Sequence, residues 1–172
     1  MRKIGLFLIF ATLQATAFAA GHKTYTNPAF LYAVDYPEDW RIKEVGKAVS
    51  ISSPFESKDD KFAENVQIVA EDLSHAPIEV GLIDYHRAGL KNAEKFLTDF
   101  KPLEEARTQW LGHDAIVMLY SMTLRGEKFR CKDYKFESGK TFYVLTYYAA
   151  ELDFEKYLPA AERIMKSIRV SP

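Results

Sequence analysis

The stretch that decides the fold is Ala115-Ile-Val-Met-Leu-Tyr-Ser-Met-Thr-Leu124, the most apolar of the strand-like segments in the chain. Successive side chains of a strand point to opposite faces, so Val117 and Leu119 share one face while Met118 and Tyr120 share the other. Both faces are therefore apolar, and a strand of this kind is covered on both sides. We predict a central strand in a sheet that has other elements packed against each face.

A β-hairpin is predicted directly after this strand. Lys128 to Phe136 and Thr141 to Ala149 are rich in aromatic and β-branched residues, and Ser138-Gly139 separates them. A glycine at this place supplies the positive φ that a tight hairpin turn needs. Further strand-like segments, several of which end at a proline or a glycine, lie at residues 30–36, 40–45, 49–53, 65–73 and 103–110.

Two segments show helical periodicity. Residues 80–97 place apolar side chains three or four positions apart, which predicts one helical stripe. A closing helix follows Asp153, a suitable N-cap residue, and Pro159 either kinks this helix or stands in the first turn of its main body. The order of strands, helix, four strands and helix predicts an α+β fold with an antiparallel sheet. We expect one core, formed by Val117, Leu119, Phe142, Val144, Leu158, Ala161 and Ile164.

The N-terminus carries the pattern of a secretory signal peptide. Met1-Arg2-Lys3 is positively charged, Ile4 to Leu13 is apolar, and Ala17-Phe18-Ala19 offers the small residues that precede a cleavage site. The apolar run is shorter than the roughly 20 residues that span a bilayer. We predict that residues 1–19 are cleaved and that residues 20–172 fold as a single domain. An uncleaved membrane anchor is the alternative.

Two absences from the sequence indicate the export route. No cysteine stands at the cleavage site, which excludes a lipoprotein anchor, and no arginine pair marks export in the folded state. The expected location is therefore periplasmic or secreted, by way of a Sec-type signal. No later segment is apolar for long enough to span a membrane once the signal is removed.

Charge and composition exclude several classes of protein. Cleavage would leave 21 basic against 24 acidic residues, and this balance lacks the basic stripe of a nucleic-acid-binding protein. A hydrophobic content of 48% is typical of a folded domain. Cys131 is the single cysteine of the chain, so neither an internal disulfide nor a cysteine-only zinc site is possible. We expect a packed, unreactive thiol at this position.

Several stretches together resemble the PsbP-like and DcrB-like proteins. The opening resembles theirs most clearly, because a hydrophobic strand is followed by a proline and then by a tryptophan in Pro28-Ala-Phe-Leu-Tyr-Ala-Val-Asp-Tyr-Pro-Glu-Asp-Trp40. The match covers residues 25–170, and its later segments are Val49 to Pro54, Asn65 to Val69, Leu111 to Ala115, the hairpin with Gly139, and the closing helix that ends in Lys166-Ser-Ile168.

This resemblance implies an architecture and a class of function. The architecture is an αβα sandwich, with a central, mainly antiparallel sheet of about six to eight strands flanked by two main helices. The best-known member of the family is an extrinsic subunit of photosystem II that assists the retention of calcium and chloride. The family is largely non-enzymatic, and the absence of a lipid-anchoring cysteine and of a thylakoid transit segment favours an envelope protein of a non-photosynthetic bacterium.

No motif predicts a catalytic site, so we expect no enzyme and no cofactor. Gly139-Lys140-Thr141 is similar to the end of a phosphate-binding loop, but Tyr134 occupies the position where that loop needs its first glycine. The chain also lacks the G-x-S-x-G and S-x-x-K patterns of serine nucleophiles. A hydrolase whose site is assembled from distant residues stays open as a third alternative.

The weak candidates for metal ligands lie in one charged loop. Glu56, Asp59, Asp60 and Glu64 could offer oxygen ligands to calcium or manganese. The loop has no D-x-D-x-D-G pattern and its charge is interrupted by lysines, so a solvated loop is favoured over a cation site. The histidines, none of which has zinc-ligand spacing to another, are His22, His75, His86 and His113.

The aromatic residues of the last strand have two interpretations. Tyr143, Tyr147 and Tyr148 are expected in the core for the most part, but they could also form a contact surface for a partner. Together these observations favour a non-enzymatic, exported accessory protein that binds another envelope protein or complex. A divalent-cation-binding extrinsic protein similar to the photosystem subunit is the alternative.

Overall fold

The elements of the chain form two sheets and two helices in a computed structural model that describes residues 21–171. The predicted signal segment, residues 1–19, lies outside the described residues. Along the described range the order is β1 (His22–Asn27), β2 (Tyr32–Pro37), β3 (Arg41–Val45), β4 (Ala48–Ser52), β5 (Asn65–Asp72), α1 (Leu82–Phe96), β6 (Thr98–Trp110), β7 (His113–Leu124), β8 (Glu127–Ser138), β9 (Thr141–Ala150), α2 (Phe154–Lys166) and β10 (Arg169–Val170).

Seven strands form the main sheet in the order β3-β4-β5-β9-β8-β7-β6. All neighbouring pairs are antiparallel, so the predicted α+β class with an antiparallel sheet is confirmed. The most apolar strand, β7, has a partner on each side, but it lies next to the edge strand β6 and the central position belongs to β9. The hairpin of β8 and β9 therefore forms the middle of the sheet.

A small second sheet joins the two ends of the described chain. Its order is β1-β2-β10, and neither β1 nor the two-residue β10 was predicted from the sequence. Arg169 on β10 donates hydrogen bonds of 2.7 and 2.9 Å to both carboxylate oxygens of Asp35 on β2. These bonds and the one from Thr24 lower the pKa of Asp35 to about 2. The short strand is thus held by a bidentate ion pair as well as by backbone pairing.

The two helices lie on opposite faces of the main sheet and complete the predicted sandwich. The first helix, α1, packs beside β6 and β8, whereas α2 packs on β9 and β5 and also contacts β2 of the small sheet. Asp153 stands at the N-cap of α2, but its side chain makes no cap hydrogen bond. Pro159 lies inside α2, beyond its first turn, and α2 continues to Lys166. Neither described helix combines the length and the apolar composition needed to cross a membrane.

The prediction of a single core was wrong, because the two faces of the sheet carry separate cores. Tyr143, Leu145 and Tyr147 of β9 belong to the cluster around α2. Phe142 points the other way and stacks on Tyr85 of α1, with ring centroids 4.4 Å apart. A separate cluster on the α1 face consists of Met118, Tyr120, Met122, Phe129 and Cys131. Strand side chains alternate between faces, so neighbours in sequence cannot share one core.

The helices cover their faces unequally. On α2, Ala161, Ile164 and Met165 are at most 1% exposed, so this helix is firmly seated. On α1, His86 is the buried residue. Regions of the sheet therefore stay open on each face, one beside α2 and one beneath α1.

Candidate functional site

In the charged loop, the carboxylates of Glu56 and Asp60 make contacts within the protein. Glu56 accepts hydrogen bonds from Lys156 and Tyr157 of α2, and these bonds hold the pKa of Glu56 below its usual range. Asp60 accepts the backbone N–H groups of Glu56 at 3.0 Å and of Phe62 at 3.1 Å. Within residues 21–171, no group of three or more histidine, cysteine, aspartate or glutamate side chains is arranged to hold a metal ion.

Glu64 differs from the rest of the loop because it is buried. Glu64 is 3% exposed, and Ser53 Oγ donates a hydrogen bond to Glu64 Oε2 at 3.5 Å. Burial raises the pKa of Glu64, and the nearby carboxylates of Asp153, Asp60 and Glu56 raise it further. The ionised form of Glu64 therefore destabilises the folded state.

We expect Glu64→Gln to stabilise the protein at pH 7.5 and to change little at pH 4. Between the pKa of Glu64 in the unfolded protein and its raised pKa in the folded protein, the folded state holds a proton that the unfolded state has released. The free energy of unfolding therefore falls as the pH rises through this range. Glutamine cannot ionise and removes that loss. Urea unfolding at both pH values measures the effect, with Glu94→Gln at an exposed position as the control. Equal urea midpoints for Glu64→Gln and the native protein at pH 7.5 would contradict the prediction.

Of the two interpretations of the β9 tyrosines, the core interpretation fits two of the three residues. Tyr143 is 2% exposed and Tyr147 is 0% exposed. Their hydroxyl groups donate to the carbonyl oxygens of Phe30 at 2.8 Å and Phe154 at 2.9 Å. Tyr148 is half-buried on the other face of β9. Because β9 is the central strand and α2 covers its tyrosine face, Tyr143 and Tyr147 are core residues.

Within residues 21–171, the histidines and the cysteine do not form a cluster. His22 and His75 are exposed, His113 lies 5.0 Å from the ring of Phe136, and His86 Nε2 lies 3.1 Å from Glu105 Oε2. Cys131 is 0% exposed, as expected for a packed thiol, and burial raises its pKa. A thiol in this state is a poor nucleophile.

An open groove of about 530 Å³ runs between α2 and the edge of the main sheet; we call it the α2 groove. Val117 and Leu119 of β7 and Ala106 of β6 form its apolar floor, and Leu158 of α2 forms part of one wall. The groove exists because α2 packs over β9 and β5 and leaves this face of β7 and β6 uncovered. The expected core residues Val117, Leu119 and Leu158 are half-buried, because α2 does not cover this part of the sheet.

Ion pairs between β8 and α2 define the charged side of the α2 groove. Arg130 pairs with Glu155 at 3.3 Å, and Lys132 pairs with Glu162 at 2.6 Å. Burial opposes ionisation of Glu162, but the hydrogen bonds from Lys132 and Lys166 outweigh it and hold the pKa of Glu162 below its usual range. These pairs fix the position of α2 relative to β8, so the wall of the groove is preformed.

The opposite side of the α2 groove is the free edge of β6. This strand is the last in the sheet order, and its first half is irregular, with register shifts between Thr98 and Lys101 and between Pro102 and Glu104. From Glu104 to Trp110 the pairing with β7 is continuous, so the outer side of that half presents a regular row of backbone groups that no other strand within residues 21–171 pairs with. The charged residues of β6 are a signal of an edge strand that sequence reasoning could have used.

Comparison with known proteins finds likeness in structure only. No protein-family model matches the chain, and no curated protein sequence matches it either. A protein of unknown function from Pseudomonas aeruginosa superimposes with a TM-score of 0.63 at 19% identity, covering 88% of this chain and 98% of its own.

Two further solved structures are similar to this chain. Cyanobacterial PsbP from Synechocystis has a TM-score of 0.63 at 12% identity and covers 94% of this chain and 99% of its own. LpqN of Mycobacterium tuberculosis, which is involved in cell envelope biogenesis, has a TM-score of 0.55 at 15% identity and covers 91% of this chain and 88% of its own. The resemblance stated from the sequence is thus confirmed for the fold: this chain has the fold of the PsbP-like proteins.

Proposed function

We propose that this chain is an exported, non-enzymatic accessory protein that binds another envelope protein through the α2 groove. Export rests on the charged, apolar and small-residue segments of residues 1–19, which have the form of a signal peptide. The accessory role is supported by the fold shared with PsbP and with LpqN, a protein of cell envelope biogenesis. In this proposal the mature domain begins after residue 19.

The observation that carries the proposal is that the α2 groove adjoins the free edge of β6. An extended segment of a partner could pair with the backbone between Glu104 and Trp110, and a strand added to a sheet edge gains affinity from such hydrogen bonds. Alternate side chains of that segment would then point to the α2 face, where Ala106, Val117 and Leu119 offer an apolar floor. The partner segment is therefore extended and apolar at every second residue.

The proposal of a non-enzymatic role rests on the ion pairs at the α2 groove and on the burial of the thiol. At the α2 groove, Arg130, Lys132, Glu155 and Glu162 are engaged with one another. The single thiol is buried and its pKa is raised. A groove with these ion pairs on one side and an apolar floor suits the binding of a polypeptide rather than catalysis.

Site-specific photocrosslinking in intact cells tests the proposal. A photoreactive residue at Glu104, on the rim of the α2 groove, should capture a defined protein in the envelope fraction. The same residue at Lys43, which is exposed on the opposite edge strand β3, is the matched control and should not capture it. Leu119→Asp should abolish the product because it places a charge in the apolar floor. Capture from both edges, or capture that Leu119→Asp leaves unchanged, would contradict the proposal.

A further inference from the structure

A second cavity lies on the other face of the sheet, between α1 and the strands β5, β9, β8 and β7; we call it the α1 cavity. Its volume is about 240 Å³, equal to about eight water molecules at roughly 30 Å³ each. Its apolar walls include Leu90, Phe100, Met118 and Val144. Polar side chains also reach it, which is unusual for the covered face of a sheet, and these are Gln67, Tyr120, Asp133, Lys135, Thr146 and Tyr148.

A buried ion pair lies in this wall. Lys135 Nζ donates to Asp133 Oδ2 at 2.6 Å, and these two residues are 8% and 6% exposed. They stand two positions apart on β8 and so point to the same face. Removing two charges from water costs about as much as their attraction returns, so a buried pair is weak evidence for a stabilising role.

The pair is incomplete as a hydrogen-bond network. Oδ1 of Asp133 is buried and has no hydrogen-bond partner in residues 21–171, which is uncommon because buried polar atoms nearly always have one. Within the same residues, the Lys135 side chain has one hydrogen-bond partner, Asp133, although an ammonium group has three N–H donors. The pair thus presents an unused acceptor beside unused donors, and its formal charges cancel.

Neighbouring strands extend the polar character across the sheet. Thr146 on β9 stands opposite Asp133, and Gln67 on β5 stands opposite Thr146. The rings of Tyr120, Tyr148 and Phe100 complete the wall around them. The α1 cavity therefore combines a row of hydrogen-bonding groups with flat apolar surfaces.

The helix over the α1 cavity leaves room for a ligand. Gly89 lines the cavity, and a Cβ atom added there would meet no heavy atom within 4 Å. Glycine within a helix is destabilising relative to alanine, and at this position it leaves open space next to the helix backbone. Because Asp133 Oδ1 is itself buried, a ligand reaches it only if α1 moves away from the sheet.

We propose that the α1 cavity binds a small, neutral, polyhydroxylated molecule of about the size of one sugar ring. A hydroxyl group both donates and accepts, so adjacent hydroxyls can donate to Asp133 Oδ1 and accept from Lys135 Nζ. Neutrality follows from the cancelled charges of the pair, since a charged ligand would leave an uncompensated charge in a buried site. The C–H face of the ring packs on Tyr120, Tyr148 and Phe100. This site is independent of the α2 groove.

Titration monitored by amide NMR tests the site. The probes are glucose, mannose, N-acetylglucosamine and myo-inositol, with acetate and methylammonium as charged comparisons. We expect at least one neutral probe to shift the amide signals of Gly89, Lys135 and Thr146 in a saturable way. Absence of saturable shifts for every neutral probe would overturn the proposal, and so would equal binding of either ion.

Two helix variants separate occupancy of the cavity from a general effect on folding. Gly89→Leu fills the open space and should weaken binding at least tenfold. Ala88→Leu adds a similar side chain at the neighbouring exposed position and should leave the affinity within twofold of the native protein. Circular dichroism confirms that both variants are folded. Unchanged affinity in folded Gly89→Leu would place the bound probe elsewhere and refute the site.

Discussion

Phe136→Ala is expected to lower the free energy of unfolding by about 3–5 kcal/mol, the usual cost of removing a buried aromatic ring. Phe136 is 1% exposed and occupies the middle of the sheet on the α2 face. Its ring stacks on Tyr143, with centroids 5.1 Å apart and planes 13° apart, and lies 5.5 Å from Trp110. The substitution therefore leaves a cavity between rings that rigid neighbouring strands prevent from closing. Urea denaturation at pH 7 measures the loss.

The same substitution at an exposed site provides the control. Phe55 is 50% exposed in the loop after β4, and Phe55→Ala should change the free energy of unfolding by no more than about 0.5 kcal/mol. Comparable losses in the two variants would show that Phe136 does not anchor the core on this face.

Lys135→Met is expected to cost about 3–5 kcal/mol, although lysine is rarely a core residue. The substitution removes the ammonium group 2.6 Å from Asp133 and leaves a buried carboxylate without compensation, which is strongly destabilising. The expected loss thus comes from the remaining charge rather than from the stabilising value of the pair. Denaturant unfolding of the native protein and the variant gives the difference.

A double variant distinguishes this explanation from simple loss of packing. Asp133→Leu combined with Lys135→Met replaces both charges by apolar groups, and such replacements are often neutral or stabilising. We expect the double variant to recover most of the stability that Lys135→Met loses. If the two substitutions instead destabilise additively, the cost does not arise from an unpaired charge.

Local periodicity was enough to predict most elements. The alternation in 65–73 and the hairpin signal at Gly139 correspond to β5 and to the β8–β9 turn, where Gly139 has a φ of +66°. The stripe in 80–97 corresponds to α1 at Leu82–Phe96. These features could be predicted because a period of two or of 3.6 residues is set by the backbone of the segment itself. The strands β1 and β10 were missed because β1 is mostly exposed and β10 has two residues, so neither carries a pattern.

The candidate sites could not be predicted in this way. In the sequence, Asp133 and Lys135 lie two residues apart on a strand. Charged residues with this spacing also occur on exposed strands, so the spacing does not predict a buried pair. Their burial depends on which face α1 covers. Likewise, Ala106 and Leu119 border a groove because α2 packs over β9 and β5 and stops short of β6.

The sequence by itself determined most of the elements and their order, the α+β class and the presence of a single thiol. Only the tertiary structure decided that the sheet has two cores, that Tyr143 and Tyr147 are internal, and that an open groove and a polar cavity lie on opposite faces. The physical reason is how far apart in the chain the interacting residues are. Helix and strand patterns arise from neighbouring residues, whereas strand order and helix placement depend on contacts between segments far apart in the chain, and burial follows from those contacts alone.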